Sequence, residues 1–166
     1  MRARSAPTSA DAFVMAAEAL QTKPKQPRLA TVWVAVLAEV PLFASLSKRH
    51  QRRIARLATA VSYRTGATIV WRDGPGDAFY LILDGEVEVH RETGEPIVLQ
   101  RGAFFGELAL IDGKPRSAAV RARSPVAAMR LDRAAFRKLL RDEPAIAVGL
   151  LQELAARLRR IESPQR

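Results

Sequence analysis

The chain has 166 residues, enough for one domain with a buried core plus appendages. With 48% hydrophobic and 27% charged residues it has the composition of an ordinary soluble protein, and the absence of cysteine excludes disulfides, thiolate metal sites and cysteine nucleophiles. The formal charge of +10 is spread out, with residues 1–40 carrying +2, residues 41–131 carrying +5 and residues 132–166 carrying +3.

Residues 1–10 are polar and read as disordered. Asp11 to Gln21 is suited to a short helix with Phe13, Val14, Ala17 and Leu20 on one side, and Pro24 and Pro27 among lysines mark a linker. Residues 1–28 are therefore set apart as an N-terminal extension. Leu29 to Leu46 is the most apolar run, but it is interrupted by Glu39 and Pro41 and is short for a membrane span. It predicts a helix to Val40, ended by Pro41. The N-terminus lacks the continuous apolar stretch of a secretory signal, so a cytoplasmic location is expected. Ser47 then caps a helix from Lys48 to Ala60. Lys48, Arg49, Arg52, Arg53 and Arg56 share a broad face of that helix, either solvated or meeting an acidic partner or lipid surface.

From Val61 the pattern changes to short β-favouring runs at 68–71, 78–83, 86–90, 97–99, 116–122 and 127–131. Eight of the nine glycines fall between Gly66 and Gly113, which decides for a barrel or jelly-roll arrangement of short strands. Helical spacing returns after Asp132, a predicted N-cap, and Pro144 opens a last helix through Ile146, Leu150, Leu151, Leu154 and Leu158. The fold class expected is α+β: an antiparallel β-roll over 61–131, flanked by N-terminal helices within 29–60 and two C-terminal helices within 132–160, the domain spanning 29–166. There is no internal repeat, so one ligand site is expected. His50 and His90 lie in unrelated contexts, read as surface positions, and offer no metal-binding spacing.

The richest segment runs from Phe105 to Val120. A glycine, Gly106, permits close backbone approach at the start of a very short helix, where free N–H groups favour an anion. Arg116 enters the following strand and can make a forked contact with the same anion. Glu107 adds an acceptor-only carboxylate suited to a hydroxyl. Together they suit a nucleotide held through phosphate and ribose. Taken singly, Arg116 reads as an exposed strand arginine and Glu107 as a carboxylate placed by the helix dipole. Leu108 and Leu110 read as packing residues before ligands.

These residues resemble the cyclic nucleotide-binding domain family, whose cassette reads F-G-E-[LI]-A-L, a variable turn, then P-R-[AST]-A. Phe105-Gly106-Glu107-Leu108-Ala109-Leu110 and Pro115-Arg116-Ser117-Ala118 match it throughout. The likeness runs from about Val40 to Arg160, including Pro41-Leu42-Phe43 and the run from Pro75 to Gly85. Asp73-Gly74 reverses the commoner glycine–acid order, which is expected to alter loop geometry only. Members include cAMP-dependent kinase regulatory subunits, the bacterial catabolite activator protein and cyclic-nucleotide-gated channels.

The resemblance implies a phosphate cradle of Gly106, Leu108, Ala109 and Arg116, with Glu107 on the ribose 2′-hydroxyl. Arg116 is then expected to contribute little to the ligand-free core. Ser117 admits cGMP without requiring it, and its likeness to the bacterial activator points to cAMP. The last helix covers the base in relatives, so Leu154 and Arg157 are candidate lid residues, and Gly149 would suit a mobile lid. No nucleophile–base pair or metal set is present, so the chain is read as a stand-alone, non-catalytic sensor without a metal cofactor, acting on an unidentified protein effector. Neither a direct DNA-binding domain nor a transmembrane segment is expected. An interaction module binding nucleotide weakly or not at all is the alternative; a cupin-type metal enzyme lacks clustered histidines.

Overall fold

The computed structural model describes residues 26–162, with side chains from Trp33 onward. The expected short helix over 11–21 and the first part of the expected linker, 22–25, lie outside the described residues, whereas its last three residues, Gln26, Pro27 and Arg28, read as linker, are already helical.

Three helices open the fold: α1 (Gln26–Glu39), α2 (Pro41–Ala44) and α3 (Lys48–Leu57). Pro41 ends α1 as expected, but it also starts the one-turn α2, because a proline at the first helical position has no N–H to lose. The Ser47 hydroxyl accepts from the His50 backbone N–H at 3.3 Å and caps α3. That helix stops at Leu57, three residues short of the expected end.

Strands β1 (Thr59–Tyr63), β2 (Thr68–Val70), β3 (Ala78–Asp84), β4 (Val87–His90), β5 (Ile97–Leu99) and β6 (Phe104–Phe105) follow. A short α4 (Glu107–Asp112), β7 (Ala119–Ala122), β8 (Val126–Asp132), α5 (Arg133–Asp142) and α6 (Pro144–Glu162) complete the described chain. Thr59 and Ala60, expected in a helix, instead pair with Arg130 and Met129 in the antiparallel β1–β8 ladder. The β7 strand starts three residues later than expected. Arg116 N–H instead donates to Gly74 O at 3.0 Å, and Arg116 O accepts from Asp73 N–H at 2.9 Å.

The two antiparallel sheets have strand orders β1-β8-β3-β6 and β2-β7-β4-β5. The first is the middle layer. Phe79, Leu81, Met129 and Leu131 pack against Leu37, Phe43, Ile54, Phe136 and Ile146 of the helices. Tyr80, Ile82, Val126 and Ala128 point the other way and meet Val70, Val87 and Val120 of the second sheet. A strand buried on both faces has no polar alternation, which is why 78–83 is continuously apolar.

The Asp132 carboxylate accepts from Ala135 N–H at 2.8 Å, fixing the start of α5 as expected. The corner between α5 and α6 is tied to α3 through Arg53–Asp142 and through His50 Nδ1–Glu143 Oε2 at 3.0 Å. Helix α6 also approaches α2 closely: a Cβ at Gly149 would lie 2.9 Å from Leu42 Cδ1. Close packing is thus what Gly149 provides. No described helix is long and apolar enough to cross a membrane.

Candidate nucleotide site

Strand β6 delivers the chain to Gly106, whose φ of +90° turns it into α4. A Cβ there would fall 2.7 Å from both Ala78 O and Arg116 Nη1, so backbone angle and space both require glycine. The loop before β3 closes on α4 just as tightly. A Cβ on Gly76 would lie 2.5 Å from Ala109 Cβ. The reversed Asp73-Gly74 order puts Asp73 at φ +62°, a conformation that aspartate tolerates.

Arg116 is 4% exposed, so it is a buried residue of this junction rather than a surface strand arginine. Its Nε donates to Pro75 O at 3.2 Å and its Nη1 to Gly106 O at 2.7 Å. Its Nη2 donates to Ala78 O at 2.7 Å and to Asp77 Oδ1 at 3.0 Å. A guanidinium has five N–H donors, so these four bonds leave one, on Nη1. The expectation that Arg116 contributes little to the ligand-free core is overturned, because it ties the 75–78 loop to the start of α4.

Asp77, which sequence reasoning did not single out, is the residue that anchors this junction. Its other oxygen accepts from Arg130 Nη2 at 3.1 Å. Partial burial opposes ionisation of Asp77, but the hydrogen bonds from Arg116 and Arg130 outweigh it and hold the carboxyl below its ordinary value. Behind it, burial and the neighbouring Tyr80 push the Tyr63 hydroxyl up to about 12.

Glu107 is 2% exposed. Burial raises its pKa, only partly countered by the charges of Arg157 and Arg116. Arg157 reaches it from α6, with Nη1 2.9 Å from Glu107 Oε1. The same guanidinium donates through Nη2 to Phe104 O at 3.0 Å, approaches Glu153 at 3.2 Å and lies 4.6 Å from the Phe104 ring centre. Arg157 therefore folds inward onto Glu107 in this structure.

Gly106, Glu107, Leu108, Ala109, Arg116 and Ser117 all line one cavity of about 110 Å³, whose far wall includes Val89, Leu99 and Arg157. Leu108 is half exposed at its mouth, whereas Leu110 is buried in the core. Leu154 is partly buried and is not part of the lining. Of the neighbouring apolar positions on α6, Leu150 is buried and Leu151 exposed. The volume is below the roughly 300–1,000 Å³ of ligand pockets in general. A larger cavity of about 690 Å³ lies between α1, α2, the β5–β6 turn and α6, and contains neither Arg116 nor Ser117. Arg157 borders both spaces.

Residues 60–143 match the family model described as the cyclic nucleotide-binding domain. The chain belongs to that family. A cAMP-dependent protein kinase regulatory subunit of Aspergillus fumigatus is 45% identical over 111 residues, covering 66% of this chain and 27% of that protein. The chain thus spans about a quarter of that regulatory subunit's length. Among solved structures, the regulatory domain of Toxoplasma gondii PKA with cAMP superposes with a TM-score of 0.69 at 26% identity, over 78% of this chain and 51% of that one. The catabolite activator protein of Thermus thermophilus superposes at 0.66 with 30% identity, over 74% and 60%. The expected β-roll with flanking helices is the fold of these cyclic nucleotide-binding relatives, its two sheets not closed into a barrel.

Proposed function

We propose that this chain is a non-catalytic cyclic-nucleotide sensor that binds cAMP, with cGMP as the weaker ligand, and regulates a separate protein partner. The observation carrying the reading is the buried Arg116, which keeps one N–H donor without a protein partner and lines a cavity together with Gly106 and Glu107. The cyclic phosphate meets that donor and the backbone of Leu108 and Ala109 at the start of α4. The ribose 2′-hydroxyl takes the Glu107 carboxylate and replaces Arg157 there. Arg157 then turns to the purine, whose face suits a guanidinium. Because α6 carries Arg157, occupancy is coupled to the position of that helix. A ligand changes such an arrangement only by binding one form better than the other. The cAMP-bound Toxoplasma structure supports the ligand class.

The small cavity and the Glu107–Arg157 pair favour a second reading, an interaction module that keeps the fold and binds nucleotide weakly. Calorimetric titration with cAMP, cGMP and 2′-deoxy-cAMP separates the two. The sensor reading requires saturable cAMP binding, weaker binding of the 2′-deoxy ligand, and loss of that difference in Glu107→Gln. Equal affinity for the hydroxyl and deoxy ligands would remove Glu107 from the ribose site.

A further inference from the structure

Helix α3 carries five cations on one face, and most of them are not compensated within the described fold. Lys48, Arg49, Arg52, Arg53 and Arg56 are all exposed, while Gln51, Ile54 and Ala55 are buried on the opposite side. Lys48 and Arg49 lie in the first turn, where the helix dipole disfavours cations, and no acidic residue is present there. Lys48–Arg52, Arg49–Arg53 and Arg52–Arg56 add like charges at i,i+4 spacing. Arg53 is paired with Asp142. Among the described residues, no carboxylate lies within ion-pair distance of Lys48, Arg49, Arg52 or Arg56. Lys48, Arg49 and Arg52 thus work against their own helix, while Arg53 is offset by Asp142 and Arg56 by its place in the last turn, and the result is a basic face that the fold itself does not use up.

We propose that this face is the docking surface for the regulated protein, through a helix bearing Asp or Glu at i, i+3 and i+7. Arg49, Arg52 and Arg56 repeat at that same spacing over about 10 Å of helix. Forked guanidinium–carboxylate contacts fit such a partner. A lipid surface fits less well, because none of the exposed large hydrophobic residues lies on α3 to insert between acyl chains. Nucleic acid also fits less well. The helix has no Phe, Tyr or Trp to stack on a base, and its one amide, Gln51, is buried and donates to Phe43 O at 3.1 Å. The proposal deepens the sensor reading and rests on it for the identity of the partner. It also supplies a route between the two sites, since α3 is bound to the α5–α6 corner by Arg53–Asp142 and His50–Glu143.

The test is fluorescence anisotropy of the full chain with a labelled alanine-based helical peptide carrying glutamates at i, i+3 and i+7, at near-physiological salt. The triple variant R49E/R52E/R56E should lose about tenfold or more in affinity, and the neutral R49Q/R52Q/R56Q an intermediate amount. A control with the same charge change on the β-roll, R64E/R91E/R121E, should stay close to the parent. Equal losses in the α3 and control variants would show attraction to net charge only and overturn the proposal. So would no binding by the parent, or tighter α3-dependent capture of duplex DNA or of phosphatidylserine vesicles than of the peptide. Thermal melts establish that each variant folds. Parallel cAMP titrations of the parent separate the two readings: a parent that binds cAMP but not the peptide condemns the docking surface alone, whereas α3-dependent peptide binding by a chain that does not bind cAMP condemns the sensor reading alone.

Discussion

Replacing Arg116 with alanine should damage both stability and binding, and the two losses have separate origins. The substitution leaves the carbonyls of Pro75, Ala78 and Gly106 without their guanidinium donor. At about 1 kcal/mol net for each lost hydrogen bond, the fold loses about 3 kcal/mol. The Asp77 ion pair adds little, because the Asp77 side chain is 56% exposed and solvent screens it. Domains of ordinary stability hold roughly 5–15 kcal/mol, so the variant should remain folded. For a chain of this size about 2–4 °C accompanies each kcal/mol, giving a fall in Tm of about 6–12 °C. Loss of the partner to a bound phosphate should cost a further 2–5 kcal/mol or so in cyclic nucleotide binding, about 30- to 5,000-fold in Kd. Differential scanning calorimetry of the ligand-free protein reads the first effect and titration calorimetry with cAMP the second. An unchanged Tm would refute the structural role drawn from the four hydrogen bonds. Unchanged cAMP affinity would refute the placement of the phosphate.

Glu107 has its pKa raised by burial, so the folded protein holds that proton more tightly than the unfolded chain does. Its contribution to ligand-free stability therefore falls as pH rises from about 4.5 through the raised folded value, and Glu107→Gln should flatten the Tm–pH profile across that window; parallel profiles would contradict this. Gly106→Ala should cost about 1–3 kcal/mol and weaken cAMP binding, because a positive φ and contacts at 2.7 Å both oppose a side chain. Gly113→Ala, with nothing within 4 Å of its Cβ, should cost less, and chemical denaturation of the pair checks the order. Gly149→Ala gains up to about 1 kcal/mol of helix propensity against a contact with the movable end of Leu42, so its stability should change little and its cAMP affinity not at all. A marked affinity loss would restore the reading of Gly149 as suiting a mobile lid.

The cassette was legible because its signals are local: a helix-opening glycine, an acid beside it, a turn and an arginine within twelve residues. The two-faced burial of β3 was likewise legible as an unbroken apolar run. By contrast, Thr59 and Ala60 follow α3 without a glycine or proline, so nothing marked the passage from helix to strand until the β8 pairing supplied it. Asp77 is a good turn residue, and its role as anchor for Arg116 and Arg130 depends on residues 39 and 53 positions away. The Arg157–Glu107 pair spans 50 residues and has no local signature. What sequence left out at this site is long-range: which buried charges meet, and how little space they leave.

Hydrogen exchange of the full chain with and without saturating cAMP tests the coupling of ligand to helix most directly. Amides of the cassette, residues 105–117, should become protected as the phosphate and ribose engage Arg116 and Glu107. Amides of α6 over residues 145–160 should be protected in the same titration, as Arg157 leaves Glu107 and the helix covers the base. Protection confined to the cassette would make α6 a fixed strut, and no change in either segment at saturating cAMP would contradict the account as a whole.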